Sequence, residues 1–227
     1  MISKPGITPS NAAPMVAAAE AQLVRIVGEG IACHPHLNAL LDLSTRYPGR
    51  DLTDAIHLLC HLYGNHPGLI ELALQRSPPG PAKQWLSQTS ASFERERLYL
   101  VRLTAAVEPT PSTPGALETE STLGAARHAL ETLATSERGG CALGAAIALI
   151  GDWWPIRRLL DRAAERAGID YPTPSLPDER SVIGAIEALA DLPSSARGLA
   201  FGSEQLLFQH RGLFDLLEAR AEARGNS

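Results

Sequence analysis

The chain has 227 residues, of which 44% are hydrophobic and 20% charged, and this composition excludes an intrinsically disordered protein. Its formal net charge is −5 and its only lysines are Lys4 and Lys83, so the chain has no general attraction to nucleic acid. Ala and Leu dominate the apolar residues and aromatic residues make up only 5%, which favours helices over pleated sheet.

Proline-rich stretches at residues 77–81, 109–115 and 172–177 interrupt the sequence and mark breaks between helices. Between these breaks the apolar residues recur at helical spacing, and no alternating strand pattern longer than four residues occurs. The predicted helices span residues 12–30, 35–47, 51–63, 67–76, 81–107, 114–136, 141–167, 178–190 and 194–224.

Residues 141–150 are apolar on every side, which predicts a helix at the centre of the fold. Gly144 and Gly151, with alanines between them, would let neighbouring helices approach closely, and Pro155 should kink or split the helix. The sequence therefore predicts an all-α fold, a single multi-helix bundle of about seven to nine helices around this Ala/Gly-rich helix. We expect one domain over residues 1–227, with a flexible N-terminus at 1–11 and a Pro-rich linker at 108–115.

The three cysteines, Cys33, Cys60 and Cys141, are odd in number and widely spaced, so we expect no disulfide framework and a reducing compartment. The N-terminal residues lack the apolar run of a signal peptide. The longest apolar stretch, residues 141–150, is about half as long as a membrane span requires. These observations predict a cytoplasmic protein that does not cross a membrane.

Five of the seven histidines fall between residues 34 and 66. His57 and His61 are four residues apart on a predicted helix, so their rings point the same way. Cys33 and His36 form a Cys-x2-His pair upstream, and the two pairs together offer four ligands for a tetrahedral zinc ion. The spacing departs from common zinc-finger patterns. The alternative is that the cysteine is a small apolar residue and that the histidines cap helices or face solvent.

His128 and Glu131 lie one helical turn apart and suggest iron as an alternative metal. Carboxylate-bridged di-iron bundles use Glu from two helices and Glu-x-x-His from two others. Here the pair occurs in the reverse order, and the chain contains no Glu-x-x-His motif. The other candidate ligands are Glu94, Glu96, Glu204 and His210.

His210, Asp152 and Glu96 are candidate buried polar residues. His210 shares a predicted helix face with several leucines, and a histidine buried there needs a hydrogen-bond partner. Asp152 directly follows the apolar central segment, and Arg157 or Arg158 is the expected partner if its carboxylate is buried.

Residues 49–69, 127–153 and 201–220 resemble segments of a family of bacterial, alphaproteobacterial, all-helical proteins with no assigned activity. The resemblance covers most of the chain and implies an all-α fold without implying a function. In architecture alone the chain is similar to ferritin-like and haem-oxygenase-like bundles, and architecture does not determine function.

Two classes of function remain open. The first is a non-catalytic helical protein that binds an unidentified protein or a small molecule in a groove between helices. The second is a metal- or cofactor-dependent bundle oxidoreductase with inward-facing His and Glu. The lack of a complete catalytic motif favours the first, and it leaves catalytic residues unassigned. Homodimerisation through the helix at 194–224 is a further expectation.

Overall fold

The computed structural model describes residues 12–42, 49–187 and 193–225. These residues form nine α-helices and a short 3-10 helix at Ile31–Cys33, without a strand, which confirms the predicted all-α bundle. The predicted flexible N-terminus at 1–11 lies outside the described residues. The helices are α1 (Ala12–Glu29), α2 (Pro35–Leu41), α3 (Gly49–Tyr63), α4 (Leu69–Arg76), α5 (Pro81–Ala106), α6 (Ala116–Ala134), α7 (Cys141–Ala167), α8 (Glu179–Glu187) and α9 (Pro193–Gly225).

Proline and glycine mark several helix ends as predicted. Pro81 occupies the first turn of α5, and Gly168 ends α7 with a φ of 68°, a left-handed conformation that glycine adopts without strain. α3 begins two residues before Asp51, the expected cap, and the Asp51 carboxylate accepts hydrogen bonds from Arg224. The predicted continuation of α2 falls on residues 43–48, outside the described residues.

α7 is the central helix and packs against α1 to α6 and α9. Its first ten residues are almost all buried, because Ala, Gly, Leu and Ile leave no polar face to turn toward solvent. Pro155 lies inside α7 without splitting it. Trp153 is fully buried, whereas its neighbour Trp154 is exposed. None of the described helices is long and apolar enough to cross a membrane.

α7 and α9 run parallel and meet through glycines. A methyl group added at Gly144 would lie 2.0 Å from the carbonyl oxygen of Leu199, and one added at Gly198 would lie 1.9 Å from that of Gly139. Real side chains cannot come this close, so the two backbones approach each other only because these positions lack a Cβ. The predicted close approach at Gly144 is therefore present.

Two arginines tie the C-terminal part of α9 to α3. Arg220 donates two hydrogen bonds of 2.8 Å to the carboxylate oxygens of Asp54. Arg224 donates to Asp51 at 2.7 Å and to Asp54 at 2.6 Å. Asp54 is fully buried, so its negative charge is removed from water. The charge-assisted hydrogen bonds from the two guanidinium groups compensate for that loss of hydration.

The Pro-rich linker between α5 and α6 contacts the same arginines. The Thr113 hydroxyl accepts hydrogen bonds from Arg224 at 2.8 Å and from Arg220 at 3.3 Å. Beyond the linker, α6 packs against α3 and α4 as well as α7 and α9. The helices on the two sides of the linker therefore share one core.

Candidate functional site

Tyr63, His210 and Asp152 form a buried hydrogen-bonded chain at the centre of the bundle. On α9, Nδ1 of His210 lies 2.7 Å from Oδ2 of Asp152 on α7, and its Nε2 contacts the hydroxyl of Tyr63 at the end of α3. The backbone N–H of Ile31 donates to Oδ1 of Asp152 at 2.9 Å. Both carboxylate oxygens and both ring nitrogens therefore have partners, as buried polar groups require.

The proton positions in this hydrogen-bonded network follow from its surroundings. Burial, with a contribution from Asp152, raises the pKa of Tyr63 well above 10.0, so the phenol keeps its proton. Tyr63 then donates to Nε2 of His210, and the Nδ1–H of His210 donates to Asp152. The two hydrogen bonds together hold the imidazole ring of His210 in one orientation.

A histidine oriented by an aspartate also occurs in catalytic triads, where the second ring nitrogen faces a nucleophile that substrate can reach. In the hydrogen-bonded network described here, Nε2 of His210 faces a tyrosine. All three side chains are buried, with exposed fractions of 5% for Tyr63, 1% for His210 and 2% for Asp152. The Trp153 ring packs edge-on against Tyr63, with 5.4 Å between ring centroids. The Tyr63–His210–Asp152 network is therefore inaccessible to solvent, and it connects α3, α7 and α9.

A second buried polar network lies next to the first, on the other side of Trp153. Glu96 on α5 accepts hydrogen bonds from the Trp153 indole at 3.2 Å and from Arg157 at 2.8 Å. Arg157 also donates to Asp161 at 2.7 Å. Burial raises the pKa of Glu96, although the neighbouring Arg157 opposes that shift. The expected pairing of Asp152 with an arginine does not occur, because His210 lies beside Asp152 and Arg157 pairs with Glu96.

A groove between α3 and α6, roofed by the linker, encloses about 590 Å³ and is called the α3–α6 groove below. His57 lies in its wall, where its Nε2–H donates to the carbonyl oxygen of Glu108 at 2.8 Å. Burial, and then the nearby Arg127, lower the pKa of His61, so this histidine is neutral at pH 7. Other lining residues are Cys60, Asn65, Thr110, Ser112, Glu120 and Leu123.

Arg127 is the groove residue with an unmet hydrogen-bonding group. One terminal nitrogen of its guanidinium donates to the carbonyl oxygen of His61. Its Nε is buried and has no hydrogen-bond partner in the part of the chain that the structure describes. A buried donor without a partner is costly, so a small shift of the Arg127 side chain toward a ligand acceptor in the groove would relieve that cost.

The structure separates the two residue pairs of the expected zinc site. His57 and His61 line the α3–α6 groove, whereas Cys33 is exposed in the 3-10 helix. His36 is buried at the start of α2, where burial lowers its pKa and nearby Glu218 opposes that shift. Among the described residues, neither of the two clusters with metal-ligand spacing contains any of the four predicted ligands.

The expected iron ligands are also dispersed. His128 and Glu131 are exposed on α6. Glu96 and His210 belong to the two separate buried networks described above. Glu204 is exposed and lies 3.4 Å from Arg25. These residues do not form an inward-facing set of the kind that di-iron bundles use.

One cluster with metal-ligand spacing consists of His34, Asp215 and Glu218. Nδ1 of His34 accepts the backbone N–H of His36 at 3.2 Å, which caps α2. A proton therefore occupies Nε2, which donates to Asp215 at 3.1 Å. Metal binding at Nε2 would need the opposite tautomer, with the proton on Nδ1. The Nδ1–H of His34 would then face the backbone N–H of His36, which is also a donor. Hydrogen bonding therefore explains why these three side chains lie together.

The other such cluster consists of His66, Glu71 and Glu94. Glu94 already accepts a hydrogen bond of 2.9 Å from Nε of Arg97. Glu71 accepts the backbone N–H of Gly68 at 2.9 Å, which caps α4. A cation at this place would lie beside the positive charge of Arg97, so the cluster carries no metal assignment.

The fold is therefore an all-α bundle with two buried polar networks and an open groove. The chain belongs to a family described as a family of unknown function (DUF6975), whose model matches residues 26–225. No curated protein and no solved structure matches the chain. The family match confirms a family without assigned activity, while the alphaproteobacterial membership and the ferritin-like or haem-oxygenase-like architecture stay predictions.

Tyr63 and the arginines that bind α3 were not among the residues predicted from the sequence. Asp51 and Asp54 are three residues apart on α3, and Arg220 and Arg224 are four apart on α9, so each pair lies on one helix face. Those spacings could have suggested two matching ionic faces. No comparable pattern marks Tyr63, which depends on a contact between residues 147 positions apart.

Proposed function

We propose that this protein is a non-catalytic helical protein that binds a small polar molecule in the α3–α6 groove. The volume of about 590 Å³ lies within the range of roughly 300–1,000 Å³ that is usual for ligand pockets. The observation that carries the proposal is the Arg127 guanidinium at the wall of this groove, whose buried Nε has no hydrogen-bond partner among the described residues.

The lining supports a ligand that bears a carboxylate or a similar acceptor. Arg127 offers a charged donor, and Thr110 and Ser112 of the linker also line the groove. Glu120 adds one negative charge, so the groove also accommodates an amino or hydroxyl group on the same ligand. Leu123 supplies apolar surface, as ligand pockets usually require.

A catalytic function finds less support in the arrangement of side chains. The Tyr63–His210–Asp152 chain is buried beyond the reach of a substrate. Cys60 lines the groove together with His57 and His61, yet no hydrogen bond among the described residues joins its thiol to either ring. The described residues of this groove therefore lack the hydrogen bond between a nucleophile and a base that covalent catalysis needs. The free cysteines favour a reducing cytoplasmic location for this binding protein.

A ligand screen tests the proposal. Small carboxylates, amino acids and nucleosides are added to the full chain, and thermal shift is followed by calorimetric titration of every compound that stabilises it. Arg127→Gln should weaken binding roughly tenfold to a hundredfold, because the variant loses a charge-assisted hydrogen bond worth about 1.5–3 kcal/mol.

His128→Gln is the matched control, since His128 is exposed on the same helix outside the groove. This variant should bind as the unsubstituted protein does. A ligand that binds equally to both variants, or a screen without a saturable binder, would contradict the proposal.

A further inference from the structure

The bundle leaves one side of α9 uncovered over most of its length. This side, called the α9 face below, carries Arg197, Phe201, Phe208, Gly212, Asp215 and Glu222, all of them exposed. Their spacings of three, four and seven residues place them on one side of the helix. Phe201 and Phe208 are 39% and 60% exposed, so two aromatic rings of this face lie in water.

The middle of the α9 face borders a groove of about 290 Å³ between α6 and α9. Phe208 and Gly212 line this groove from α9, and Ala125 and Ala129 line it from α6. Its described lining residues are all uncharged, in a chain of which 20% is charged. Exposed aromatic rings beside an uncharged surface are typical of an interface between proteins.

The two ends of the α9 face carry opposite charges. At the N-terminal end Arg197 is exposed, and the Arg138 guanidinium stacks on the Phe201 ring at 4.8 Å from its centroid. At the C-terminal end Asp215 and Glu222 are exposed. Arg197 and Glu222 form no ion pair within the described part of the chain. The face is therefore positive at one end and negative at the other.

Other charged groups close to this face have partners within the same chain. Glu204 lies 3.4 Å from Arg25 of α1, so it does not cancel the charge of Arg197. Arg211 donates a hydrogen bond of 2.7 Å to the carbonyl oxygen of Glu29. The charges that remain available for a contact with another molecule therefore lie at the two ends of the face.

These features are self-complementary when two copies of α9 pack antiparallel around a two-fold axis at the level of residue 210. Phe208 of each copy then lies opposite Gly212 of the other, which has no side chain and has open space beyond its Cα. Arg197 of each copy lies beside Glu222 of the other, so opposite charges meet at both ends. A parallel pair would instead place like charges together.

We propose that the α9 face is the interface of a two-fold symmetric homodimer in which the two α9 helices run antiparallel. Each contact then occurs twice, because the same surface of both copies forms the interface. The groove beside Phe208 and the α3–α6 groove share only the buried Leu123. Dimer formation and ligand binding are therefore separate proposals, and either can fail without the other.

Sedimentation velocity of the full chain over a range of concentrations tests the dimer. We expect an equilibrium between monomer and dimer. Phe208→Ser should raise the Kd of the dimer at least roughly tenfold, because each dimer loses two central aromatic contacts. Leu98→Ser is the matched control, since Leu98 is 55% exposed on α5 and lies outside the α9 face. This variant should leave the Kd unchanged.

Charge reversal tests the antiparallel orientation. Arg197→Glu and Glu222→Arg should each raise the Kd at least roughly threefold, because like charges then meet at both ends of the interface. The variant with both substitutions should recover the Kd of the unsubstituted protein. The two positions lie about 37 Å apart along one helix, so this recovery can come only from a contact between copies.

A chain that sediments as a monomer at every accessible concentration would overturn the proposal. An equal Kd in Phe208→Ser and Leu98→Ser would do so as well. Failure of the double charge reversal to recover association would exclude the antiparallel arrangement. A trimer or tetramer would also contradict the proposal, because a two-fold interface closes with two copies.

Discussion

Near the C-terminal end of α9, Arg220 and Arg224 are buried, and their donors face the carboxylates of Asp51 and Asp54. Near the N-terminal end, Arg138 is exposed, stacks on a ring of α9 and pairs with no carboxylate of the described residues. The same residue type therefore has a structural role at one end of the helix and leaves its charge available at the other. Whether an arginine has the structural role depends on its burial and its ion pairs, and the residue type alone does not predict it.

The largest effect should come from Asp54→Ala. This substitution leaves two buried guanidinium groups without their shared partner, and breaking a buried ion pair costs about 3–5 kcal/mol. Urea unfolding would show the loss as a lower midpoint. Arg138→Gln, at the other end, should change the free energy of unfolding by no more than about 0.5 kcal/mol. Similar effects of the two substitutions would remove the distinction between the ends.

Gly144→Ala should have the next largest effect, because it disturbs the contact that joins the N-terminal part of α9 to α7. The added methyl group would meet the backbone of Leu199, which cannot move without shifting the helix, so we expect a loss of about 3 kcal/mol. Gly212→Ala is the matched control on α9. A methyl group there meets open space, and we expect a gain of about 0.5–1 kcal/mol.

The smallest effect should come from Tyr63→Phe, which probes the middle of α9. It removes the donor to Nε2 of His210 and leaves a buried acceptor unsatisfied, at a cost of about 1–2 kcal/mol. Tyr171→Phe, which alters an exposed tyrosine, should cost less than about 0.5 kcal/mol. Nitrogen NMR of the unsubstituted protein should place a proton on Nδ1 of His210, the ring nitrogen that faces Asp152. A ring without a proton on Nδ1 would contradict the proposed hydrogen-bond directions.

Much of the fold could be predicted because its causes are local. Proline and glycine determine where helices break, and the apolar segment after Gly140 can only be buried. The close packing at Gly144 was also predictable, because a glycine in a buried helix allows a close approach.

The polar partners could not be predicted, since they depend on how distant helices are rotated and shifted against each other. Arg157 is five residues from Asp152 and was, with Arg158, an expected partner, yet it donates to Glu96 on α5. His210 lies 58 residues from Asp152 and forms the contact instead. The arginine in the groove, Arg127, likewise became a candidate only when α6 was placed against α3.

The parallel packing of α7 and α9 has a consequence for synthesis of the chain on the ribosome. Asp54 and Asp152 are translated long before Arg220 and His210, the groups that later satisfy them. Until α9 emerges, Asp54 lacks its arginine partners and Asp152 lacks His210, and the surface of α7 that α9 covers remains open to water and to chaperones. The bundle therefore completes its core late, and nascent chains that stop before α9 should depend on such helpers to avoid aggregation.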